Sequence, residues 1–498
     1  MVTKLEDFEF GYADAEKEYN RMPQIFGRSF YDYRHATKKL ISGNEFLLVG
    51  RKGVGKSAFN SRIRFIGSTN NTLYAFPLQL NDFEYTTFAK ASVDKDVTGT
   101  QKYKASWDFF LMISIIRFIK NNSNIKLSES MLEIIRVLEK LKFKVNEQGT
   151  TLTGSRQIVK NLSKLKLGGF GVEVEVDLEN LNLDRKSSFS DITNSLNDVM
   201  FKAISDTLIN ETKSSLMMLD GIDDILRLRR NHIEILASLI RSVDYLNEKF
   251  FINNIKSKII ICIREDILNM LNDPDLNKIR RDSSILIDWS SDIKGLREVV
   301  NLRFNYTIGD KSKSNDVWDD LFPKKFKKKT SWEHVLSFTL FKPRDVIQFL
   351  KTCQELFPTD EKLSYSQVRQ AIKSYSKDYL IEEMKNEVAG FVGDELITLL
   401  PTIFQKIGSR DFSYNEFVSS FKSQGVSKTY DESELKKLLS LLFEAGYIGQ
   451  LVRVSNKYNS RTNTSVIFKH RNPGSQVDFS QKFIIHTGLT AGLGVRLN

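Results

Sequence analysis

A chain of 498 residues, 41% hydrophobic and 27% charged, holds enough apolar matter for about three ordinary domains and is not composed like a disordered chain. Two cysteines in that length exclude a disulfide framework and make zinc or redox chemistry a poor fit. The longest apolar run, Phe109 to Ile119, is short and broken by Arg117, the start carries no apolar leader, and the net charge is +11; together these predict a cytoplasmic chain, no membrane partner, and an acidic partner such as nucleotide or nucleic acid.

Residues 1–43 read as an N-terminal helical segment, rich in aromatics between Phe26 and Tyr33 that either pack it onto a larger fold or contact a base. An apolar strand, Phe46 to Val49, then runs into Gly50-Arg51-Lys52-Gly53-Val54-Gly55-Lys56-Ser57-Ala58, followed by a helical pattern to Ile66. Glycines let the backbone wrap an anion, and N–H groups at a helix start point at it. The pattern therefore predicts a triphosphate cradle at Gly50 to Ala58, with Lys56 on the β/γ oxygens and the Ser57 hydroxyl on magnesium.

A second strand is expected at Leu73 to Leu80 and a long helix around Tyr103 to Ile119, an alternation that marks a mostly parallel α/β sheet. From about 121 to 186 the composition shifts, and Leu165 to Asp177 reads as a hairpin around Gly168-Gly169 inside an insertion. The buried-strand run Leu216 to Leu219 ends in Asp220-Gly221-Ile222-Asp223-Asp224. Asp220 is placed to hold magnesium, and Asp223 or Asp224 to orient the attacking water as general base. Another strand, Lys258 to Ile263, ends in Arg264, which either senses the γ-phosphate or pairs with Glu265, Asp266 or Asp220. Arg280 or Arg281 is either an arginine finger offered to a neighbouring subunit or part of a solvated basic turn.

Beyond Trp289 the pattern turns helical. Lys324 to Lys329 is a charge run, solvated or touching a phosphate backbone. Lys342-Pro343-Arg344-Asp345 opens a helix from which Arg344 would project toward bound nucleotide. The last third carries helices near Ser366–Met384, Glu395–Ile407 and Ser413–Lys422, and a capping box Thr429-Tyr430-Asp431-Glu432 before Leu435–Phe443. Strands at Leu451–Val454 and Ser465–Phe468 complete a winged-helix pattern, with seven Lys/Arg against one Asp after Leu451. That module serves either nucleic acid or a protein partner. The expected organisation is a helical segment at 1–43, a P-loop ATPase core at 44–290, a helical lid at 291–362 and a helical, winged-helix region at 363–498. The five histidines are scattered and read as structural.

Phe10-Gly11 with Glu16, the Gly50–Ala58 loop, Leu219 to Asp224, Lys342 to Asp345, Leu442 to Gly449 and Ile485 to Leu489 together resemble a family of bacterial P-loop ATPases typed after a cyanobacterial open reading frame. The resemblance spans nearly the whole chain, with the phosphate loop and the acidic strand its specific parts. The acidic run also looks like that of STAND ATPases, including their NACHT branch. Gly221 stands where AAA+ enzymes usually carry Glu, so no such glutamate is carried over and the base falls to Asp223 or Asp224. The resemblance implies an ATP- and Mg2+-dependent switch whose winged-helix lid follows nucleotide state, a homo-oligomer, and an antiphage-defence setting beside an effector protein. The alternative expectation is an initiator- or loader-type ATPase that grips DNA through Arg453, Lys457 and Arg461.

Overall fold

The computed structural model describes residues 4–80, 83, 85, 88, 103–141, 143, 189–222, 232–271, 273–308, 317–425, 430–455, 462–472 and 474–496. The chain forms two compact units, one of Asp32–Gly50 with Lys56–Ile287, the other of Met1–Tyr31, Arg51–Gly55 and Asp288–Asn498.

The first unit is built on a parallel sheet. Its strands are β1 (Leu47–Gly50), β2 (Leu73–Gln79), β3 (Ser214–Asp220), β4 (Ser257–Arg264) and β5 (Ser284–Ile287), in the order β2-β3-β4-β1-β5. Leu47 to Val49, Leu216 to Leu219 and Ile259 to Ile263 are all buried, as required of strands covered on both faces. The cover comes from α1 (Lys56–Asn70), α2 (Lys104–Asn121), α3 (Phe189–Leu208) and α4 (His232–Ile252). Helix α2 is apolar nearly all round, and the buried Trp107 on it donates its indole N–H to the Ile235 carbonyl at 2.9 Å. Strand β5 was not expected as a strand; it pairs with β1 from Leu47↔Ser284 to Gly50↔Ile287. With Gly50 in register with Arg264 and Leu219 with Ile261, the carboxyl ends of β1, β3 and β4 share one edge.

Among the described residues β2 is an edge strand, and Pro77 sits inside it opposite Met218. The Leu80 N–H reaches inward to the Asp220 carbonyl at 2.9 Å. Of the expected insertion, Glu129–Lys140 is a helix with Ser128 as its N-cap. The hairpin expected at 165–177 lies outside the described residues, as do Asp223 and Asp224.

The second unit begins with helices Ala15–Arg21 and Pro23–Arg28. Glu18, 1% exposed, takes two hydrogen bonds from Arg303 at 3.1 and 3.0 Å and one from the Tyr12 N–H at 2.7 Å, while Arg303 also donates to the Phe10 carbonyl at 2.7 Å. Gly11 has φ +73°, and a Cβ there would sit 2.0 Å from the Glu18 carboxylate. Only glycine fits both the backbone and the space.

Arg303 belongs to α5 (Ile293–Ile308). After it come a small hairpin, β6 (Lys325–Phe326) and β7 (Lys329–Thr330), then α6 (Ser331–Leu336), α7 (Pro343–Leu356) and α8 (Tyr365–Ser374). A π-helical stretch, Tyr375–Leu380, joins α8 to α9 (Ile381–Val388). The final elements are α10 (Asp394–Ile407), β8 (Asp411–Phe412), α11 (Tyr414–Lys422), α12 (Glu432–Ala445), β9 (Ile448–Ser455), β10 (Thr462–Ile467), β11 (Lys482–Ile485) and α13 (Thr487–Leu493). The four strands form one antiparallel sheet ordered β10-β9-β11-β8. The capping box of α12 is corrected by two positions. Asp431, not Thr429, is the N-cap, and its partner is Glu434, whose N–H reaches the Asp431 carboxylate at 2.7 Å. An aspartate accepts from N3 as well as a threonine does. Among the described residues no helix is long and apolar enough to cross a membrane.

Candidate functional site

Gly50 closes β1 and Lys56 opens α1, so the sequence-predicted cradle is a strand, a tight loop and a helix start in direct succession. Gly53 and Gly55 hold φ +82° and +102°, backbone that a side chain would strain. Within the first unit, Lys56 is 7% exposed and its amine donates to the Gly50 carbonyl at 3.1 Å, whereas Ser57 is exposed. Asp220 stands at the tip of β3. Its Oδ1 accepts from the Gly221 N–H at 2.9 Å and its Oδ2 from Asn60 Nδ2 at 3.1 Å. Gly221 turns the chain with φ +77°, a backbone conformation that a glutamate at this position would strain.

Asn60 is the residue that sequence reasoning missed. It lies one turn after Lys56 on α1, is 5% exposed, and its Oδ1 accepts from the Cys262 thiol at 3.3 Å on β4. One amide thus ties the helix that follows the Gly50–Ala58 loop to the Asp220 carboxylate on β3 and to the strand between them. The only signal in the sequence was a polar residue four positions after a lysine that faces the sheet.

Arg264 forms an ion pair with one of the expected acids. Its Nε and Nη2 hold both oxygens of Asp266 at 2.9 and 2.6 Å. Burial pushes the Asp266 carboxyl up, but the Arg264 guanidinium, the Ile267 N–H and the Lys56 charge outweigh it and hold it below its ordinary range. Arg280 lies in the helix Pro274–Ser283 and its carbonyl accepts from the Ser284 hydroxyl. Arg281 pairs with Asp282 at 3.2 Å, both side chains well exposed.

The loop residues Arg51 to Gly55 group with the second unit, and their neighbours there are specific. Arg51 Nη2 donates to the Leu340 carbonyl at 3.0 Å, Lys52 lies 3.9 Å from the buried Glu387 carboxylate, and the Trp289 indole donates to the Val54 carbonyl at 2.9 Å. A Cβ on Gly53 would meet Lys342 at 3.4 Å and Arg344 at 3.7 Å. Arg344 is therefore beside the phosphate loop, with Glu383 at 3.9 Å. Lys342 is buried, and that burial pushes its ammonium down to about 8 against the pull of the Asp345 and Glu387 carboxylates. Burial likewise raises Asp345, which accepts from the Leu340 N–H at 2.9 Å and from the Tyr379 hydroxyl at 3.3 Å on the π-helical stretch. Such stretches often stand at functional sites.

His470 and His486 are not scattered. Their rings are 5.8 Å apart and buried, and burial followed by neighbouring cationic groups keeps both uncharged, His486 down to about 3. The His486 Nδ1 accepts from the Gly488 N–H at 3.1 Å as the cap of α13, a structural role. No group of three or more His, Cys, Asp and Glu among the described residues is arranged to hold a metal by itself. Arg453 lies on β9, opposite Thr464, while Lys457 and Arg461 fall outside the described residues.

Comparison with known proteins adds three findings. Residues 294–382 match the model described as the FunZ-associated C-terminal helical domain. An Escherichia coli K12 protein described as the putative transposon gamma-delta 80.3 kDa protein is 22% identical over 513 residues, covering 98% of this chain and 67% of its own length. Solved structures similar to this chain include the Aeropyrum pernix ORC1 protein in complex with DNA, at 11% identity, TM-score 0.40 and coverage of 90% of this chain and 92% of that one. The Aeropyrum pernix ORC2 protein stands at 12%, 0.37, 92% and 88%, and the CDC6P protein of Pyrobaculum aerophilum at 13%, 0.31, 100% and 100%. Likeness at these scores transfers no residue roles. The fold itself is an α/β P-loop fold with a mostly parallel sheet and a C-terminal helical region.

Proposed function

We propose that this chain is a magnesium-dependent ATPase whose nucleotide state is passed to its C-terminal helices. The observation that carries the reading is the Asn60 amide, which joins the helix of the Gly50–Ala58 loop to the Asp220 carboxylate. It supports a triphosphate held by the loop N–H groups and Lys56 on the same sheet edge as a hard oxygen donor. The Ser57 hydroxyl and the Asp220 carboxylate suit magnesium, which prefers oxygen ligands and retained water. When bound, that ion would neutralise charge developing on the β- and γ-phosphates.

The protein's own groups do the remaining work. Lys56 orients the phosphates, Asn60 keeps Asp220 facing the crevice, and Arg344 beside Gly53 balances negative charge at the loop. Asp223 or Asp224 would orient water, and Arg280 would serve only a neighbouring subunit. The switch reading is supported by the loop's ties to Leu340, Lys342 and Glu387, which link Arg51 to Gly53 with α7 and α9. We read α10 to β10 as the winged helix: its helix, strand, helix, helix, hairpin order fits that motif. Homo-oligomerisation, an effector partner, the antiphage setting and the STAND-like lineage rest on the family resemblance alone.

Asp220→Ala tests the reading. Phosphate release by purified protein should fall about a hundredfold or more, with nucleotide affinity changed only several-fold. Full magnesium-dependent turnover in that variant would sink the proposal. Asn60→Leu keeps the volume but removes the amide, and turnover should fall about tenfold with nucleotide binding retained. Equal loss of binding and turnover would make Asn60 a folding residue instead.

A further inference from the structure

The Lys324–Lys329 run carries five lysines in six positions, and the structure gives it a definite shape. It is a tight antiparallel hairpin, with Lys325 opposite Thr330 and Phe326 opposite Lys329, and Lys327 in the left-handed region at φ +54°. Alternation sends Phe326 inward, where it is 6% exposed and stacks on the His334 ring at 4.3 Å. All five lysines are left in solvent, and none has an ion-pair partner among the described residues.

Among the described residues no acid forms an ion pair with the run, although Glu333 is close enough to feel the Lys329 charge. Glu333 is committed to the capping box of α6, accepting from the Thr330 N–H and hydroxyl at 2.9 Å each. Asp360 accepts from the Gln367 amide at 2.8 Å, and Asp319 pairs with Arg297 at 2.9 Å; Asp320 and Glu361 are further exposed acids of this unit. Helix α8 extends the surface, because Tyr365, Arg369 and Lys373 fall at i, i+4 and i+8, on one face. Tyr365, 53% exposed, sets its ring edge-on to Phe326 at 4.9 Å. His334 registers the resulting field: burial, then Lys329, Arg369 and Lys327, depress its imidazole below the ordinary range.

We propose that the Lys324–Lys329 hairpin and the adjoining Tyr365–Arg369 face of α8 form a sequence-independent contact for the phosphate backbone of duplex DNA. Compact ammonium groups on a two-stranded turn match closely spaced phosphates, and a tyrosine hydroxyl is a common further phosphate donor. A bilayer surface fits less well, since the large apolar residue of the hairpin points inward and leaves nothing to insert. This contact is separate from the winged-helix reading and needs no nucleotide.

The test uses the full chain without nucleotide, a fluorescent random-sequence duplex, and anisotropy over a series of KCl concentrations. Replacing Lys325, Lys327, Lys328 and Lys329 by Ala should weaken binding at least tenfold and make the slope of log affinity against log salt shallower by about two units or more. A control with Lys38→Ala, Lys140→Ala, Lys278→Ala and Lys294→Ala removes the same charge from exposed positions elsewhere and should change the slope by less than one unit. Circular dichroism of both variants shows that the fold is kept. Equal loss in the two variants, no loss in the hairpin variant, or hairpin-dependent binding to phosphatidylserine vesicles without binding to the duplex would each overturn the proposal.

Discussion

Lys56→Ala should reduce ATP turnover by about a thousandfold and abolish measurable nucleotide binding. Lys56 is almost wholly buried at the start of α1, with its amine on the Gly50 carbonyl. Its loss would leave the Gly50 carbonyl without this donor and the cradle without its central positive charge. Fluorescent-nucleotide titration with a phosphate-release assay reads both effects, and the two must fall together. Retained binding with lost turnover would assign the lysine to chemistry alone. Undiminished turnover would remove the nucleotide site from this loop altogether.

Glu18→Ala should cost about 3–5 kcal/mol of stability, because it leaves the Arg303 guanidinium buried without its carboxylate. The loss also frees the Tyr12 N–H and opens space against Gly11. A fall in the urea midpoint at unchanged slope is the expected signature, and a cost below about 1 kcal/mol would mean that water relieves Arg303. Glu18→Gln should recover part of the loss, since an amide oxygen still accepts from Tyr12 and Arg303.

The contrast between these two residues shows what could be read before any coordinates. Lys56 stands out in the sequence because an anion-cradle pattern is local, compressed into the nine consecutive residues Gly50 to Ala58. Asp220 is legible for a related reason, as an acid at the end of a strand that is apolar on both faces. Glu18 and Arg303 are separated by 285 positions, and neither carries a local pattern that names the other. Asn60 was hidden in the same way, since its two partners come from β3 and β4.

The strands show a parallel division. Runs of four or more apolar residues were found in place, whereas β5, β8 and β11 went unseen because short strands are fixed by neighbours rather than by their own pattern. The capping box slipped by two residues because Thr429 and Asp431 are both good caps and only the position of the first helical turn separates them. The lysine run was seen as charge, but its geometry depends on Phe326 finding His334, a contact that no spacing rule predicts.

Pro77 carries a last consequence for how copies of this chain can meet. In a parallel strand a residue's N–H and C=O point to the same side and successive residues alternate. Leu80 faces β3, so Pro77, three positions earlier, faces away from it, toward the margin that is open among the described residues, and supplies no hydrogen there. A foreign strand laid along that margin would find a missing rung at its middle. Among the described residues, growth of the sheet along this flank would meet an edge with one hydrogen-bond donor removed by a single pyrrolidine ring.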